Sequence, residues 1–311
     1  MTVTADNIST IDIAGRQPVA EWRMLADYNM AGDYHMALDE VLLDAIIDGG
    51  APVVRFYTWR PATLSLGVNQ HVGEIDPAEC EARGIGIVRR LTGGRAVLHQ
   101  HELTYSVIAR DNDPRVSGGV IESYRKISAA LVAGLKSLGV DVSLAAPNKA
   151  LFRAMSASRR VSDLELSESG VDPQAASTNG AICFDVSSAY ELEASGRKLV
   201  GSAQARRGGA ILQHGSILLD IDWDSWVSVF SYATEAGKQR ARLKLPSRMT
   251  SLRHELGRIV TPQEVQAALI NGFEQTFNIA LNNTSLSAQE QAETARLVSE
   301  KYSAGSWITK T

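Results

Sequence analysis

Cys183 and Lys198 stand fifteen residues apart, and they are the pair in this chain whose types and spacing most suggest covalent chemistry. A thiol reacts as its thiolate, and an unperturbed cysteine with a pKa of about 8.5 is only a few per cent ionised at neutral pH. A lysine close by, as cation or as proton acceptor, changes that. A downward shift of about two units leaves roughly three quarters of the thiol ionised at pH 7. Lys198 lies in the glycine-framed run Gly196-Arg197-Lys198-Leu199-Val200-Gly201-Ser202-Ala203-Gln204, and this company makes the pair a candidate activated nucleophile. Cys183, between Ile182 and Phe184, also fits an inert buried side chain, and the two residues alone leave both readings open. Cys80 offers an internal comparison: Glu79 and Glu81 flank it, which raises a thiol pKa, so it reads as structural.

A second constellation is Arg89-Arg90-Leu91-Thr92-Gly93-Gly94-Arg95-Ala96-Val97-Leu98-His99. Twin glycines let the backbone turn tightly with N–H groups facing outward, a way to hold an acyl or phosphate oxygen. The spacing is neither that of a Walker loop nor that of a dinucleotide fingerprint. By shape alone the block reads equally as a plain hairpin turn carrying surface arginines. His99 and His214 are expected to line a site as hydrogen-bonded core histidines rather than to act as catalysts.

These residues need elements to carry them. Residues 1–18 mix polar and β-branched types without a period and read as a flexible arm. Asp33 is expected to cap a helix through Met36, Leu38, Val41, Leu42, Ala45 and Ile46 that ends at Gly49-Gly50. Strands are expected over Pro52–Trp59 and Thr63–Val68. Asp76-Pro77-Ala78-Glu79 then supplies N-cap, N1 proline and N3 glutamate for a short helix stopped by Gly84. Gly86–Arg90, the Thr92-Gly93-Gly94 turn, Arg95–Leu98 and Leu103–Ile108 predict a strand meander.

Helical periodicity resumes from Ile121 to Leu138, with Gly139 at the stop and a β-like Val140–Leu144 after it. Residues 145–180 have no period and read as an insertion or mobile loop, a lid being one reading. Tyr190–Leu192 and Lys198–Val200 flank a Ser195-Gly196 turn, placing Cys183 and Lys198 on neighbouring strands. Thr261-Pro262-Gln263-Glu264 and Ser287-Ala288-Gln289-Glu290 are capping boxes separated by an edge strand near Phe277–Leu281. No linker divides the chain, so residues 19–311 are expected to form a single α+β domain, a mixed, mostly antiparallel sheet with packed helices.

With 311 residues, 44% of them hydrophobic, the chain can bury a full core without staples. Two cysteines make neither a disulfide framework nor a zinc site, which points to no metal and to the cytoplasm. Met1–Pro18 lacks a basic start and an apolar core, and no apolar run approaches the roughly 20 residues that span a bilayer. A net charge of -4 argues against nucleic-acid binding, and no membrane partner is expected.

The block from Arg89 to His99, continuing through Glu102-Leu103-Thr104-Tyr105-Ser106-Val107, resembles the signature of the lipoate-protein ligase and octanoyltransferase superfamily. Met36-Ala37-Leu38-Asp39-Glu40, Gly196 to Gln204 and Gln213-His214-Gly215-Ser216-Ile217-Leu218-Leu219 extend the resemblance over most of residues 20–280. It implies a fold like that of the lipoate and biotin ligases. Ala181-Ile182-Cys183-Phe184-Asp185 followed by Tyr190-Glu191-Leu192 is most similar to the LipM-type octanoyltransferases, in which the matching cysteine carries the acyl group. In the ATP-dependent ligases that cysteine is generally absent and glycine usually stands where Arg95 does. Many of them also carry a C-terminal accessory domain, for which a chain ending soon after Trp307 leaves no room. The stretch from Lys149 to Asn179 does not follow the family pattern.

The resemblance implies an octanoyltransferase that needs no cofactor. Its catalytic residues are Cys183 and Lys198, its donor octanoyl-acyl carrier protein, and its acceptor a lysine of a lipoyl-domain protein such as the glycine-cleavage H protein. Arg90, Gly93, Gly94, Arg95, Ala96, Val97, His99, Gly201, Ser202, Ala203 and His214 are the implied substrate-binding residues. Backbone N–H groups beside Gly93-Gly94 or Gly201-Ser202 are expected to hold the oxyanion, and Val97, Leu98 and Val200 to line an apolar slot. Lys238, Arg240, Arg242, Lys244 and Arg248 are the densest basic face for an acidic carrier, and read equally as a solvated helix face. Two other readings stand beside this one. One is an ATP-dependent lipoate-protein ligase whose Lys198 and glycine turn hold an acyl-adenylate; the other is a non-catalytic lipoyl- or effector-binding module on the same fold.

Overall fold

The computed structural model describes residues 18–145 and 191–310. Cys183, residues 1–17 of the arm expected over 1–18 and the expected loop beyond Ala145 lie outside the described residues. Eight strands form a mixed sheet: β1 (Ala20–Met30), β2 (Val53–Trp59), β6 (Glu102–Arg110), β7 (Val142–Leu144), β8 (Leu192–Ala194), β9 (Arg197–Arg207), β10 (Ala210–Leu218) and β11 (Ile279–Asn283). Their order is β11-β1-β2-β6-β10-β9-β8-β7. β1 pairs in parallel with β11 and β2, and every other pairing is antiparallel. A small sheet, β4-β3-β5, comprises β3 (Thr63–Leu66), β4 (Gly86–Arg89) and β5 (Val97–His99).

The two-residue side-chain period of β6 decides which face does what. Leu103, Tyr105 and Val107 enter the main core, with Val54 and Phe56 of β2, against Ile127 and Leu131 of helix α3 (Val120–Ser137) and Leu269 and Phe273 of the helix Pro262–Phe277. The intervening Glu102, Thr104 and Ser106 are buried polar residues on the other face. Helix α1 (Gly32–Ile47) covers part of that face, packing Leu38, Leu42 and Ile46 on Val53, Ile108 and Leu212. α1 is enclosed on nearly every side, so its buried His35, Asp39 and Glu40 must all find polar partners.

Most expected elements form, with three corrections. Ala31, not Asp33, is the N-cap of α1; Asp33 sits in the first turn, where its carboxylate accepts from the Tyr34 N–H and the Ser303 hydroxyl. The glycine block is no meander: β4 and β5 flank β3 on opposite sides, one parallel and one antiparallel, and β6 belongs to the other sheet. Ser287-Glu290 is a complete capping box, whereas Thr261 caps Glu264 N–H while the Glu264 carboxylate turns to Arg258. Asp76 caps the helix α2 (Pro77–Ala82) as expected. Cys80 on α2 is buried, and burial first, then Asp76 and Glu79, pushes its thiol up to about 11.

Candidate active site

A cavity of about 300 Å³ lies between the polar face of β6, β10 and β9 and the small sheet, at the low end of the roughly 300–1,000 Å³ typical of small-molecule pockets. Arg90, Gly94, Arg95, Val97, His99, Gly201, Ser202, Ala203 and His214 all line it. So do Met36, Tyr57 and Trp59, apolar walls that the sequence did not single out. Gly93, Ala96 and Lys198 do not line it. Gly93 is exposed, and Ala96 is buried beneath β5 with Leu98 in the core of the small sheet; Val200 faces the main core. Of the expected apolar slot only Val97 therefore remains.

The glycine turn is held by its own arginine. Arg90 Nη2 donates to the carbonyls of Gly93 and Arg95, 2.8 Å each, Nη1 donates to the Ser65 carbonyl at 2.8 Å, and Nε to Thr92 Oγ1 at 3.1 Å. Gly94 has φ 94°, a left-handed conformation that favours glycine. A Cβ on neighbouring Gly67 would stand 1.9 Å from the Gly94 carbonyl oxygen. Gly93 has neither constraint, so only one of the twin glycines is demanded by the backbone. The clearest free donor is Arg95: its Nη1 is buried and has no hydrogen-bond partner among the described residues.

Both site histidines are braced on two sides. His214 Nδ1 lies 2.9 Å from Asp39 Oδ2, and its Nε2 lies 2.7 Å from Thr92 Oγ1. Asp39 also accepts from Arg55, from Tyr57 OH at 3.2 Å and from Ser106 Oγ at 3.2 Å. Burial pushes the Asp39 carboxyl up, but Arg55 and His214 outweigh it and hold the group below its ordinary value. His99 stacks on Trp59 at 3.9 Å and meets Ser65 Oγ through Nε2 at 2.8 Å. Burial lowers its pKa, which keeps it neutral at pH 7. With both ring nitrogens engaged, His214 orients the glycine turn, as a hydrogen-bonded lining residue should.

Lys198 sits at the start of β9, one residue past the Ser195-Gly196 turn and Arg197. Its N–H donates to the Arg248 carbonyl at 2.9 Å, and the Thr250 N–H donates to its carbonyl at 3.0 Å. Its ammonium is buried and donates to Glu191 Oε1. Glu191, equally buried, lines the cavity. Sequence reasoning missed Glu191 as a site residue. The signal was there: Glu191 and Glu193 alternate on β8's side of a two-residue turn, opposite Lys198, and Glu193 is its register partner. Left-handed φ values of 52° and 69° at Ser195 and Gly196 give that turn the tight form that fixes the register. An irregularity between Leu192 and Glu193 breaks the simple count.

No helix among the described residues is long and apolar enough to cross a membrane. Residues 32–274 match the lipoyl protein ligase A/B catalytic domain family. Octanoyltransferase LipM of Geobacillus kaustophilus is 40% identical over 93% of this chain and 98% of its own length. Octanoyltransferase LipM of Staphylococcus aureus is 39% identical over 92% and 98%. Among solved structures, a bipartite lipoate protein ligase of Thermoplasma acidophilum superposes with a TM-score of 0.73 at 23% identity, covering 94% of this chain and 98% of that one. Lipoate-protein ligase A bound with ATP gives 0.69 at 24% identity, covering 93% and 98%. Those structures share the α+β fold expected from the sequence. A match over most of the length, with relatives near 40% identity, places the chain in the lipoyl protein ligase A/B catalytic domain family, beside the LipM octanoyltransferases.

Proposed function

We propose that this chain is an octanoyltransferase of lipoate assembly, which moves an octanoyl group from octanoyl-acyl carrier protein, through a thioester on Cys183, to a lysine of a lipoyl-domain protein such as the glycine-cleavage H protein. Its relatives of known name support the reaction class. The observation that carries the reading is the cavity, where Met36, Trp59 and Val97 offer apolar walls while Glu191 and the unpartnered Arg95 Nη1 supply charge. An acyl thioester needs that combination: a dry slot for the chain and a donor for its carbonyl oxygen.

In the first half-reaction the Cys183 thiolate attacks the donor's carbonyl carbon. A new C–S bond forms, the old one breaks, and the carrier's thiolate leaves and takes up a proton. Arg95 is the oxyanion donor, in place of a glycine N–H. In the second half-reaction the acceptor's neutral ε-amine attacks, the C–N bond forms, and Cys183 leaves as thiolate. The amine's surplus proton passes to the Glu191 carboxylate, the acceptor in the Lys198–Glu191 pair. Each step exchanges one acyl bond for another, so neither ATP nor a cofactor is required. Residues 19–311 act as one catalytic unit in the cytoplasm, where the donor carrier resides.

Incubation with octanoyl-carrier protein, without ATP, tests this by intact mass. The reading requires an octanoyl adduct on the wild-type chain and none on Cys183→Ala. Transfer that appears only when ATP is added indicates a ligase, and neither result a binding module.

A further inference from the structure

Seven polar or hydrogen-bonding side chains of the cavity wall, Tyr57, Trp59, Ser65, His99, Thr104, His214 and Ser216, have hydrogens whose direction can be worked out. Arginine and indole N–H groups only donate, so they fix the sense of each chain of bonds that they enter. Trp59 Nε1 donates to Thr104 Oγ1 at 2.8 Å, and the Thr104 hydroxyl in turn donates to Glu102 Oε2 at 2.7 Å. Ser216, opposite Thr104 in the β6–β10 register, donates to the same oxygen at 2.7 Å. Arg90 Nη1 donates to Ser65 Oγ at 3.2 Å, which sends the Ser65 hydrogen to His99 Nε2 at 2.8 Å. The His99 proton therefore stands on Nδ1, the nitrogen that lies 3.7 Å from Glu102 Oε2.

Asp39 plays the matching part. Arg90 Nε donates to Thr92 Oγ1 and Thr92 to His214 Nε2, so His214 Nδ1–H, like the Tyr57 hydroxyl, donates to Asp39 Oδ2. Two buried carboxylates, Asp39 and Glu102, thus draw the hydrogens of these side chains out of the cavity. Ser202 is turned the other way: it faces Tyr105 across Gly215 and accepts the Tyr105 hydroxyl at 2.8 Å on the main-core side. A Cβ on Gly215 would stand 2.5 Å from Ser202 Oγ, so glycine there leaves room for that bond. Arg95 Nη1 is left for the thioester carbonyl. A methylene loses nothing against such a wall. A second carbonyl oxygen in the chain, which can only accept, gives up its hydrogen bonds to water and meets oxygens, carbon and ring faces.

We propose that Glu102 is a positioning residue for specificity: by holding the Thr104 and Ser216 hydrogens turned away, it restricts the cavity to acyl chains with no acceptor oxygen beyond the thioester carbonyl. The inference rests on the octanoyltransferase reading and deepens it. Space limits the length of the chain, whereas this device reads its oxygen content. The substrate must then be supplied by a class of reaction that has already reduced keto groups of the chain to methylene.

The test follows acyl-enzyme formation by intact mass, with carrier protein loaded with octanoyl, 5-oxooctanoyl or 7-oxooctanoyl groups. The ketones are remote from the reacting carbon, so the three thioesters are alike in reactivity. Wild type must prefer octanoyl over each ketone roughly tenfold or more, the scale of a stranded polar group. A smaller preference overturns the proposal without any variant. Glu102→Met frees the two hydroxyl hydrogens, so its preference over at least one ketone must fall toward unity. Adding Thr104→Val and Ser216→Ala removes the freed donors and must restore the preference, which a general loosening of the fold does not do. A preference that persists in Glu102→Met, or that the added substitutions fail to restore, overturns the proposal. If the wild-type chain forms no octanoyl adduct, the octanoyltransferase reading fails instead, and the two failures are distinct.

Discussion

Among the described residues Lys198 meets the cavity through Glu191: the lysine ammonium is buried behind the wall, and the carboxylate it donates to is the group that lines the site. Neutralising the carboxylate takes a buried, charged partner away from the Lys198 ammonium. Glu191→Gln is expected to destabilise the fold by about 3–5 kcal/mol, the usual cost of breaking a buried pair from one side. Urea unfolding checks this. Lys198→Arg keeps a charge but displaces the Glu191 carboxylate that takes the amine's proton, so it is expected to slow amine transfer by about 100-fold, more than it slows acyl-enzyme formation. Single-turnover rates of the two halves check that split.

Arg95 presents the unpartnered guanidinium nitrogen. Arg95→Gln is expected to lower kcat by about 10²–10³ with a smaller change in KM, as loss of an oxyanion donor does. Steady-state kinetics with octanoyl-carrier protein gives both numbers; a change confined to KM assigns Arg95 to binding alone.

The glycine turn predicts a contrast. Gly93→Ala meets nothing within 4 Å and keeps an ordinary φ, so its stability should stay within about 0.5 kcal/mol of wild type. Gly67→Ala drives a Cβ into the Gly94 carbonyl and should cost about 1–3 kcal/mol or more, with loss of activity. Thermal unfolding of the two variants side by side is the check.

His35 stacks on Tyr57 at 4.2 Å beneath the site, and its Nε2 contacts the Thr58 carbonyl at 3.0 Å. Burial first, then the Arg55 charge, lowers its pKa to about 3. The unfolded chain therefore binds a proton that the folded chain refuses. The stabilising effect of keeping His35 neutral is fully present above about pH 6.5 and is lost progressively as the pH falls toward 3. His35→Gln should reduce the slope of unfolding free energy against pH, between pH 6 and 4.5, by up to one proton. Urea titrations at several pH values measure it.

The helix Glu235–Lys244 has no buried residue, and Leu243 on it is 81% exposed. Arg248, just beyond it, accepts the Lys198 N–H through its carbonyl, so the basic face adjoins β9. Arg242 is partly spent on Asp224 at 2.8 Å. Reversing Lys238 and Arg240 to glutamate should raise KM for octanoyl-carrier protein several-fold at low salt and little at high salt. Unchanged kinetics at low salt removes the face from donor docking.

Much of this was legible in the chain. Helix α1, the Asp76 cap, the Ser287 box and the strands bounded by glycine turns follow from local periodicity and capping chemistry, which act over a few residues. Strand partners did not follow. β4 and β5 read as a hairpin because they adjoin in sequence, yet β3 lies between them, a choice made by the packing of Leu64, Val97 and Leu98 into the small core. The site divided the same way. Lining residues inside motifs were found, whereas Glu191, Glu102 and Asp39 owe their roles to side chains more than 60 residues away or to a strand irregularity. Spacing carries no such information.

The central claim is that the acyl group rests on Cys183 on its way to the acceptor. Its most direct test isolates the octanoyl-enzyme free of donor and nucleotide, mixes it with apo lipoyl-domain acceptor in a rapid-quench instrument, and follows both masses. The account predicts octanoyl loss from the enzyme and gain on the acceptor lysine in equal amounts, at a rate no slower than kcat. Retention of the adduct, or discharge slower than kcat, contradicts it.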